Sequence, residues 1–308
     1  PETFIIVNPT AGDGQAKKRW QKFENDLINN QIPYHAEKTK YQNHATELVS
    51  EAVSSGYNRI GVFSGDGTLN EVLQGMFIED QIISSEIKLI FFPAGSSCDF
   101  EKKFENKRNL LDRIQADDSV SIDIFKVECQ DFSGKPISRY VINNSSIGII
   151  SFANEKFNSV TGLTKILKQM SVDIGAVICG LQAITQFEPF NAEMSIDGEK
   201  IPLRSLSNTS VFKTSNFGGD MSYGIDTVQD DGQLSVVWLD GTSKFGLAAM
   251  MPSLFTGTVL NKKLAHYKTC HEFELSTSDT VIVETDGENI GTPPIKYSIL
   301  PKALQVII

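Results

Sequence analysis

The sequence predicts an α/β N-terminal half built on a parallel sheet, followed by a β-rich antiparallel C-terminal half. Three observations carry that prediction. From Thr3 to about Ile122, apolar strand-like runs alternate with helical patterns, the mark of βαβ units and so of a parallel sheet. From about Asp123 the texture changes to a series of strand-like runs with turn signals between them. Three early strands end in loops of small or polar residues, where open parallel sheets bind their ligands.

In the first half the expected elements run strand Thr3–Val7, helix near Gln15–Asn30, strand near Pro33–Lys38, helix near His44–Ser54, strand Arg59–Phe63, helix Leu69–Phe77 and strand Ile87–Phe92. The helix at Leu69 is justified by Leu69, Val72, Leu73, Met76 and Phe77, which fall at i, i+3, i+4, i+7 and i+8 on one face. In the second half, strands are expected at Ile124–Glu128, Ser138–Asn143, Glu193–Ile196, Leu206–Lys213, Gln233–Leu239, Glu272–Leu275 and Val281–Glu284. Asp197-Gly198 and Asp131-Phe132-Ser133-Gly134 are turn signals between them. Two helices, Leu163–Gln186 and Lys244–Leu260, interrupt the series.

At 308 residues the chain exceeds what one core usually serves, so two domains are expected. Four separated cysteines (Cys98, Cys129, Cys179, Cys270) and four histidines indicate neither a zinc site nor a disulfide framework. A reducing cytoplasm is the simplest setting. No signal peptide is recognised, and no apolar run approaches the roughly 18 residues of a membrane span. A net charge of −10 argues against nucleic acid as a partner. The basic runs Lys17-Lys18-Arg19, Lys102-Lys103, Lys107-Arg108 and Lys262-Lys263 read as solvated helix faces.

The chemistry concentrates at the strand ends. Ile60–Phe63 runs into Ser64-Gly65-Asp66-Gly67-Thr68-Leu69-Asn70-Glu71, a strand, tight turn and helix. Its glycines let backbone N–H groups and a helix N-terminus approach a phosphate with no Cβ in the way. Asp66 between them suits a divalent cation or a reacting hydroxyl proton better than a bare phosphate. Phe4–Val7 runs into Asn8-Pro9-Thr10-Ala11-Gly12-Asp13-Gly14, and Leu89–Phe92 into Pro93-Ala94-Gly95-Ser96-Ser97-Cys98-Asp99-Phe100. The three loops can converge on one nucleotide. Near the end, Val281–Glu284 leads into Thr285-Asp286-Gly287-Glu288, two carboxylates at a turn.

In this order and spacing the motifs resemble the diacylglycerol kinase catalytic-domain family, which includes the bacterial soluble lipid kinases and the sphingosine and ceramide kinases. NPTAG resembles the family's NPxSG turn, SGDGTLNEV its GGDGTxNEV loop, PAGSSCDF its P-x-GTxNDF segment and TDGE its DGE. Val120-Ser121-Ile122-Asp123 is similar to its VD strand, and Gly218-Gly219-Asp220-Met221 with Asp230-Asp231-Gly232 to its GGGM…DDG segment. The resemblance covers essentially the whole chain. It implies a nucleotide-binding domain of NAD kinase/phosphofructokinase-like fold over residues 1–122 plus about 300–308, where the final strand Ala303–Ile308 returns. Residues 123–299 would form a β-rich antiparallel sandwich for the lipid, with the active site in the cleft between domains.

The implied activity is ATP-dependent phosphorylation of a lipid hydroxyl at a membrane surface, with ATP and Mg²⁺ as cofactors. Carried over residue by residue, the ATP contacts are Asn8, Pro9, Thr10, Ala11, Gly12, Thr39, Ser64, Gly65, Asp66, Gly67, Thr68, Leu69, Asn70 and Ser96. No Walker A sequence is present. Asp66, Asp99 and Asp123 match acids around a water-linked Mg²⁺, while Asp231 by side chain and Val228 and Gln233 by carbonyl match a structural metal site. Asp-Gly also favours a plain hairpin turn at Asp231-Gly232. The base is expected at Glu288, then Asp286, with Asp66 as the competing candidate. The implied setting is cytoplasmic and peripheral, with a lipid substrate and transient contact with a membrane surface; a homodimer is left open. Ser64, Ser96, Cys98 and the Asp220-Met221…Tyr223-Gly224 stretch depart from the family pattern. The Ser96 and Cys98 changes keep a catalytically weak lipid-binding or regulatory relative as an alternative. The other alternative is a soluble-substrate kinase of the NAD kinase type.

Overall fold

A computed structural model describes residues 2–158 and 172–308. The chain divides into two compact units, residues 1–124 with 300–308 and residues 125–299.

In the first unit the chain runs β1 (Thr3–Val7), α1 (Gln15–Asn29), β2 (Tyr34–Lys38), α2 (His44–Ser54), β3 (Arg59–Ser64), α3 (Asp66–Met76) and β4 (Lys88–Pro93). Short helices α4 (Asp99–Lys102) and α5 (Leu110–Gln115) follow. The strands pair in parallel in the order β2-β1-β3-β4, and Gln305–Ile307 adds in parallel beyond β4. The buried strand β1 is apolar or β-branched throughout, as expected for a strand covered on both faces, whereas edge strand β2 carries His35, Glu37 and Lys38. Helix α1 lays Ala16, Trp20, Phe23 and Leu27 onto the sheet. Trp20 and Phe23 meet Phe63 and Phe92 there, with ring centroids 5.2 Å apart for Trp20–Phe63 and 5.0 Å for Phe23–Phe92.

Helix α3 begins three residues earlier than its apolar stripe predicts. Gly65 is extended and the helix starts at once on Asp66, an acid suited to the positive end of the dipole. It stops at Met76, because Phe77 turns extended and pairs with Ile82 in a small hairpin. Leu69, Val72, Leu73, Met76 and Phe77 are all buried.

The second unit is antiparallel. β5 (Val120–Gln130) leads into it and pairs with β6 (Pro136–Val141). There follow β7 (Asn144–Gly148), α6 (Ile149–Asn158), α7 (Val172–Gln186), β8 (Phe190–Ile196), β9 (Glu199–Phe212) and β10 (Leu234–Asp240). The chain ends with α8 (Lys244–Phe255), β11 (Ala265–Cys270), β12 (Glu272–Ser276), β13 (Val283–Thr285) and β14 (Glu288–Ile307). One ladder runs β11-β10-β9-β8-β12-β14, while β7 pairs with both β9 and β13. The core holds Phe125, Phe212, Phe273, Tyr297, Leu234 and Val236 among others.

Strands β7 and β11 are not expected from sequence. β7 reads Asn-Ser-Ser-Ile-Gly, without the apolar alternation that marks a strand, yet every residue of it is buried. The helix expected over Lys244–Leu260 ends at Phe255. Beyond its Thr256 cap, Gly257 stands at φ 62°, outside the helical region, and approaches Gly224 so closely that a Cβ on Gly224 would lie 1.8 Å from the Gly257 carbonyl oxygen. The expected helix Leu163–Gln186 is described from Val172 onward; its residues 163–171 lie outside the described residues, as does the Cys179 side chain. Cys98, Cys129 and Cys270 are free thiols. Among the described residues, no helix is long and apolar enough to cross a membrane.

Candidate functional site

Three strand-end loops of the first unit meet. Asn8 extends the β1–β3 ladder, its N–H donating to the Phe63 carbonyl (3.1 Å). Its side-chain oxygen accepts from the N–H and hydroxyl of Thr10 (3.0 and 2.8 Å), and its Nδ2 donates to Thr68 Oγ1 (2.8 Å), tying the first loop to the first turn of α3. Thr39 joins from the end of β2, donating to the Val7 carbonyl (2.9 Å). The approach is closest at glycines. A Cβ on Gly12 would stand 2.8 Å from the Ala94 oxygen, and one on Gly95 only 2.4 Å from Gly65 Cα. Gly12 also sits at φ 59°, a region open mainly to glycine.

Asp66 closes the assembly. Its Oδ2 accepts from the Asp99 N–H (2.8 Å) and its Oδ1 from the Phe100 N–H (3.0 Å), so its carboxylate clasps the third loop to the start of α3. Gly67 is exposed, with open space where a Cβ would project. The first N–H groups of an α-helix have no partner within it, so this end of α3 can receive an anion. Within the predicted ATP run, Gly65 and Asp66 are partly accessible and Gly67 exposed, while Ser64, Thr68, Leu69 and Asn70 are buried. The Leu69 N–H is already donated to the Gly65 carbonyl (3.2 Å). Pro9, Ala11 and Gly12 are partly accessible, and Thr10 and Ser96 exposed.

The third loop is braced from behind. Arg113, almost fully buried, donates to Glu101 by both terminal nitrogens (3.1 and 2.9 Å) and to the Phe91 carbonyl (2.6 Å). Cys98 stands at φ 50°. Burial, then the neighbouring charge of Asp66, pushes its thiol up to about 12.

Of the predicted catalytic-metal acids, Asp99 pairs with Lys102 (2.9 Å) and fully buried Asp123 accepts from the Lys302 N–H (2.8 Å). Among the described residues no three His, Cys, Asp or Glu side chains form a metal-holding group. These acids therefore make no all-protein cage.

In the second unit, Asp286 is the anchor of its turn. Its carboxylate accepts from the N–H groups of Ile142 (3.1 Å), Asn143 (3.0 Å) and Asn144 (3.0 Å), and its own N–H returns to the Asn144 carbonyl (2.9 Å). Glu288 is exposed. Asn154 steadies the turn by donating to the Gly287 carbonyl (2.8 Å). Glu284, which sequence reasoning passed over, is buried and accepts from the Gly287 N–H. Its signal was an acid closing an otherwise apolar strand. Around it lies a buried polar belt: Ser145 donates to the Glu284 carbonyl (2.6 Å) and shares a hydrogen bond with Tyr297 (2.9 Å), and Tyr223 donates to Ser210 (2.5 Å). Burial holds both phenols well above the usual tyrosine range.

The predicted structural-metal residues come together in part: Asp231 Oδ1 and the Gln233 carbonyl both accept from the Lys213 ammonium. Val228 is exposed.

Comparison with known proteins adds the following. The family model described as "Diacylglycerol kinase catalytic domain" matches residues 2–127. The one described as "YegS C-terminal NAD kinase beta sandwich-like domain" matches residues 146–308. The chain is similar to "Putative lipid kinase YtlR" of Bacillus subtilis (strain 168), 24% identical over 98% of both chains. It is also similar to a "Diacylglycerol kinase" of the same organism, 23% identical over 98% of this chain and 95% of that one. Its fold matches the crystal structure of a "putative diacylglycerol kinase" from Bacillus anthracis str. Sterne, with TM-score 0.74 and 21% identity, covering 99% of this chain and 97% of the other.

Proposed function

This chain belongs to the diacylglycerol kinase catalytic-domain family in its two-domain form with a YegS-type C-terminal domain, and on that premise we propose that it phosphorylates the hydroxyl of a lipid from ATP at a membrane surface. The observation that carries the reading is the convergence of the Asn8–Gly12, Ser64–Asn70 and Pro93–Asp99 loops on the exposed N-terminus of α3. Phosphoryl transfer asks the protein chiefly for positioning and charge neutralisation, and backbone amides at a glycine-lined helix end supply both for a triphosphate. Mg²⁺, when bound with the nucleotide, neutralises charge on the transferred group.

Within this reading Asp66 is a positioning residue, holding the third loop so that Ser96 and Gly95 face the phosphates. Asp286 is a second positioning residue: with three main-chain donors on its carboxylate it fixes the turn. Glu288, the exposed acid of that turn, receives the proton of the acceptor hydroxyl. The membrane contact is assigned to the head of α8. Phe245 is 85% exposed there, and Lys262 and Lys263 are exposed after the helix; Lys244 beside Phe245 is paired with Glu188. An aromatic side chain with lysines suits an anionic lipid surface. The acceptor is diacylglycerol, a sphingoid base or a related long-chain alcohol.

The test is transfer of labelled γ-phosphate from ATP to lipid extracts in mixed vesicles, with NAD and sugar phosphates as soluble acceptors. A labelled lipid product dependent on vesicles is expected. Turnover of a soluble acceptor without lipid overturns the reading in favour of an NAD kinase-type activity, and no transfer to any acceptor leaves the weak-relative reading.

A further inference from the structure

Lys213 follows directly on strand β9 and is 1% exposed. Its ammonium donates to Asp231 Oδ1 at 2.8 Å and to the Gln233 carbonyl at 3.0 Å. The same Asp231 oxygen accepts from the Gln233 N–H at 3.0 Å, which shapes the Asp230–Gln233 turn around the ammonium. The lysine is held at its own backbone as well. Its N–H donates to the Asn143 carbonyl (2.8 Å), and Gln229 Nε2 donates to its carbonyl (3.0 Å).

A carboxylate and a main-chain carbonyl facing one point are donors suited to a hard divalent cation, and the family resemblance implies such a cation on these two oxygens together with the Val228 carbonyl. The residues present do not fit it. Mg²⁺ would need these oxygens at about 2.1 Å and Ca²⁺ at about 2.3–2.6 Å, inside the space the ammonium fills. Two cations sharing one carboxylate in a buried setting also repel each other strongly. A buried lysine, for its part, is tolerated only where its charge is paired and its donors are used, and these oxygens do both.

We propose that the Lys213 ammonium takes the place of the structural divalent cation in this chain, making the β-rich unit independent of metal. The resident positive charge is covalently attached at the end of strand β9, so it joins that strand to the Asp230–Gln233 turn at any metal concentration. The proposal borrows the metal position from the family but does not depend on the kinase reading, because its test needs no activity.

The experiment is thermal unfolding of nucleotide-free protein in EDTA, in millimolar Mg²⁺ and in millimolar Ca²⁺. The wild type should unfold at one temperature in all three. Lys213→Ala should unfold several degrees lower in EDTA and recover as either cation is added, since a ligand that binds only the folded state raises its stability with concentration. That recovery should vanish in Lys213→Ala combined with Asp231→Asn. A wild type that loses stability in EDTA, with the metal response abolished by Asp231→Asn, overturns the proposal. So does a Lys213→Ala protein as stable as wild type in EDTA, or one that neither cation restores. If Lys213→Ala does not fold, calorimetric titration of the nucleotide-free wild type decides: Asp231-dependent binding of Mg²⁺ or Ca²⁺ overturns the proposal, and its absence supports it.

Discussion

Three carboxylates that look alike in the sequence differ in what surrounds them. Asp286 receives three main-chain N–H groups and Asp66 receives two, so each is the hub of a loop. Glu288 is exposed. This separates stability from chemistry at the residue scale. Glu288→Gln should leave unfolding within about 0.5 kcal/mol of wild type, as exposed substitutions usually do. It should lower kcat on lipid by about 10²–10⁴-fold, the range of a general base, with the KM for ATP unchanged. Asp286→Asn should instead lower stability by about 1–3 kcal/mol, because an amide's one oxygen can keep two of the three donors and the third is left as a buried unsatisfied group. Chemical denaturation and steady-state kinetics on both variants check this. Equal losses of kcat with equal stabilities would remove the distinction. A Glu288→Gln protein of normal kcat beside an inactive Asp66→Asn would move the base to the SGDG turn.

At the scale of elements, the position of α3 depends on its packing against α2. Thr46 Oγ1 donates to the Glu71 carbonyl (2.7 Å), and the Ala45 N–H donates to Glu71 Oε2 (3.3 Å). Gly75 permits this closeness. A Cβ there would lie 2.4 Å from Val49 Cγ1 and 2.5 Å from the Thr46 carbonyl oxygen. Alanine gains about 1 kcal/mol over glycine in helix propensity, but overpacking costs about 1–3 kcal/mol, and one of the obstacles is main chain. Gly75→Ala is therefore expected to be destabilising by about 1 kcal/mol or more and to raise the KM for ATP, because displacing α3 moves the N–H groups that face the phosphates. A Gly75→Ala protein with wild-type melting and wild-type ATP KM would show that the two helices separate without disturbing the nucleotide loops.

For the whole molecule, buried protonated thiols and phenols give stability an alkaline limit. Burial raises Cys98 to about 12, Cys129 to about 11 and Cys270 to about 12, and raises Tyr223 and Tyr297 as well. Each group keeps its proton in the folded protein after the unfolded chain has begun to lose its own. The unfolded state then binds fewer protons, so stability falls as pH rises. The thiol contribution is complete below pH 9, the ordinary thiol value, and is lost between there and about 11–12. The melting temperature should be level from pH 7 to about 8.5 and decline above it, and Cys129→Ala should flatten part of the decline. Differential scanning calorimetry across that range checks it, and a melting temperature level to pH 10.5 would contradict it.

Much of the first unit was legible because its signals are local. The β1, α1, α2 and β3 runs carry their own periodicity, and the loops at their ends carry glycine and small polar residues whose backbone geometry is nearly independent of context. The family order of NPTAG, SGDGT, PAGSSCD and TDGE was likewise readable along the chain. What the sequence could not contain is the set of partners across distance. Strand β7 lacks apolar alternation, and its buried serines bond across to β9 and β13, Ser146 to Ser210 (2.7 Å) and Ser145 to the Glu284 carbonyl (2.6 Å). Asp66 reads as a ligand-facing acid, and nothing in its own turn announces the N–H groups of Asp99 and Phe100 that donate to it. Asp231-Gly232 reads as a turn or a metal loop, and nothing in its own residues announces the Lys213 ammonium that donates to Asp231 Oδ1 and to the Gln233 carbonyl. Periodicity and turn chemistry act over a few residues and are written in order along the chain. Which buried polar group satisfies which other is decided only when folding brings residues far apart in sequence into contact.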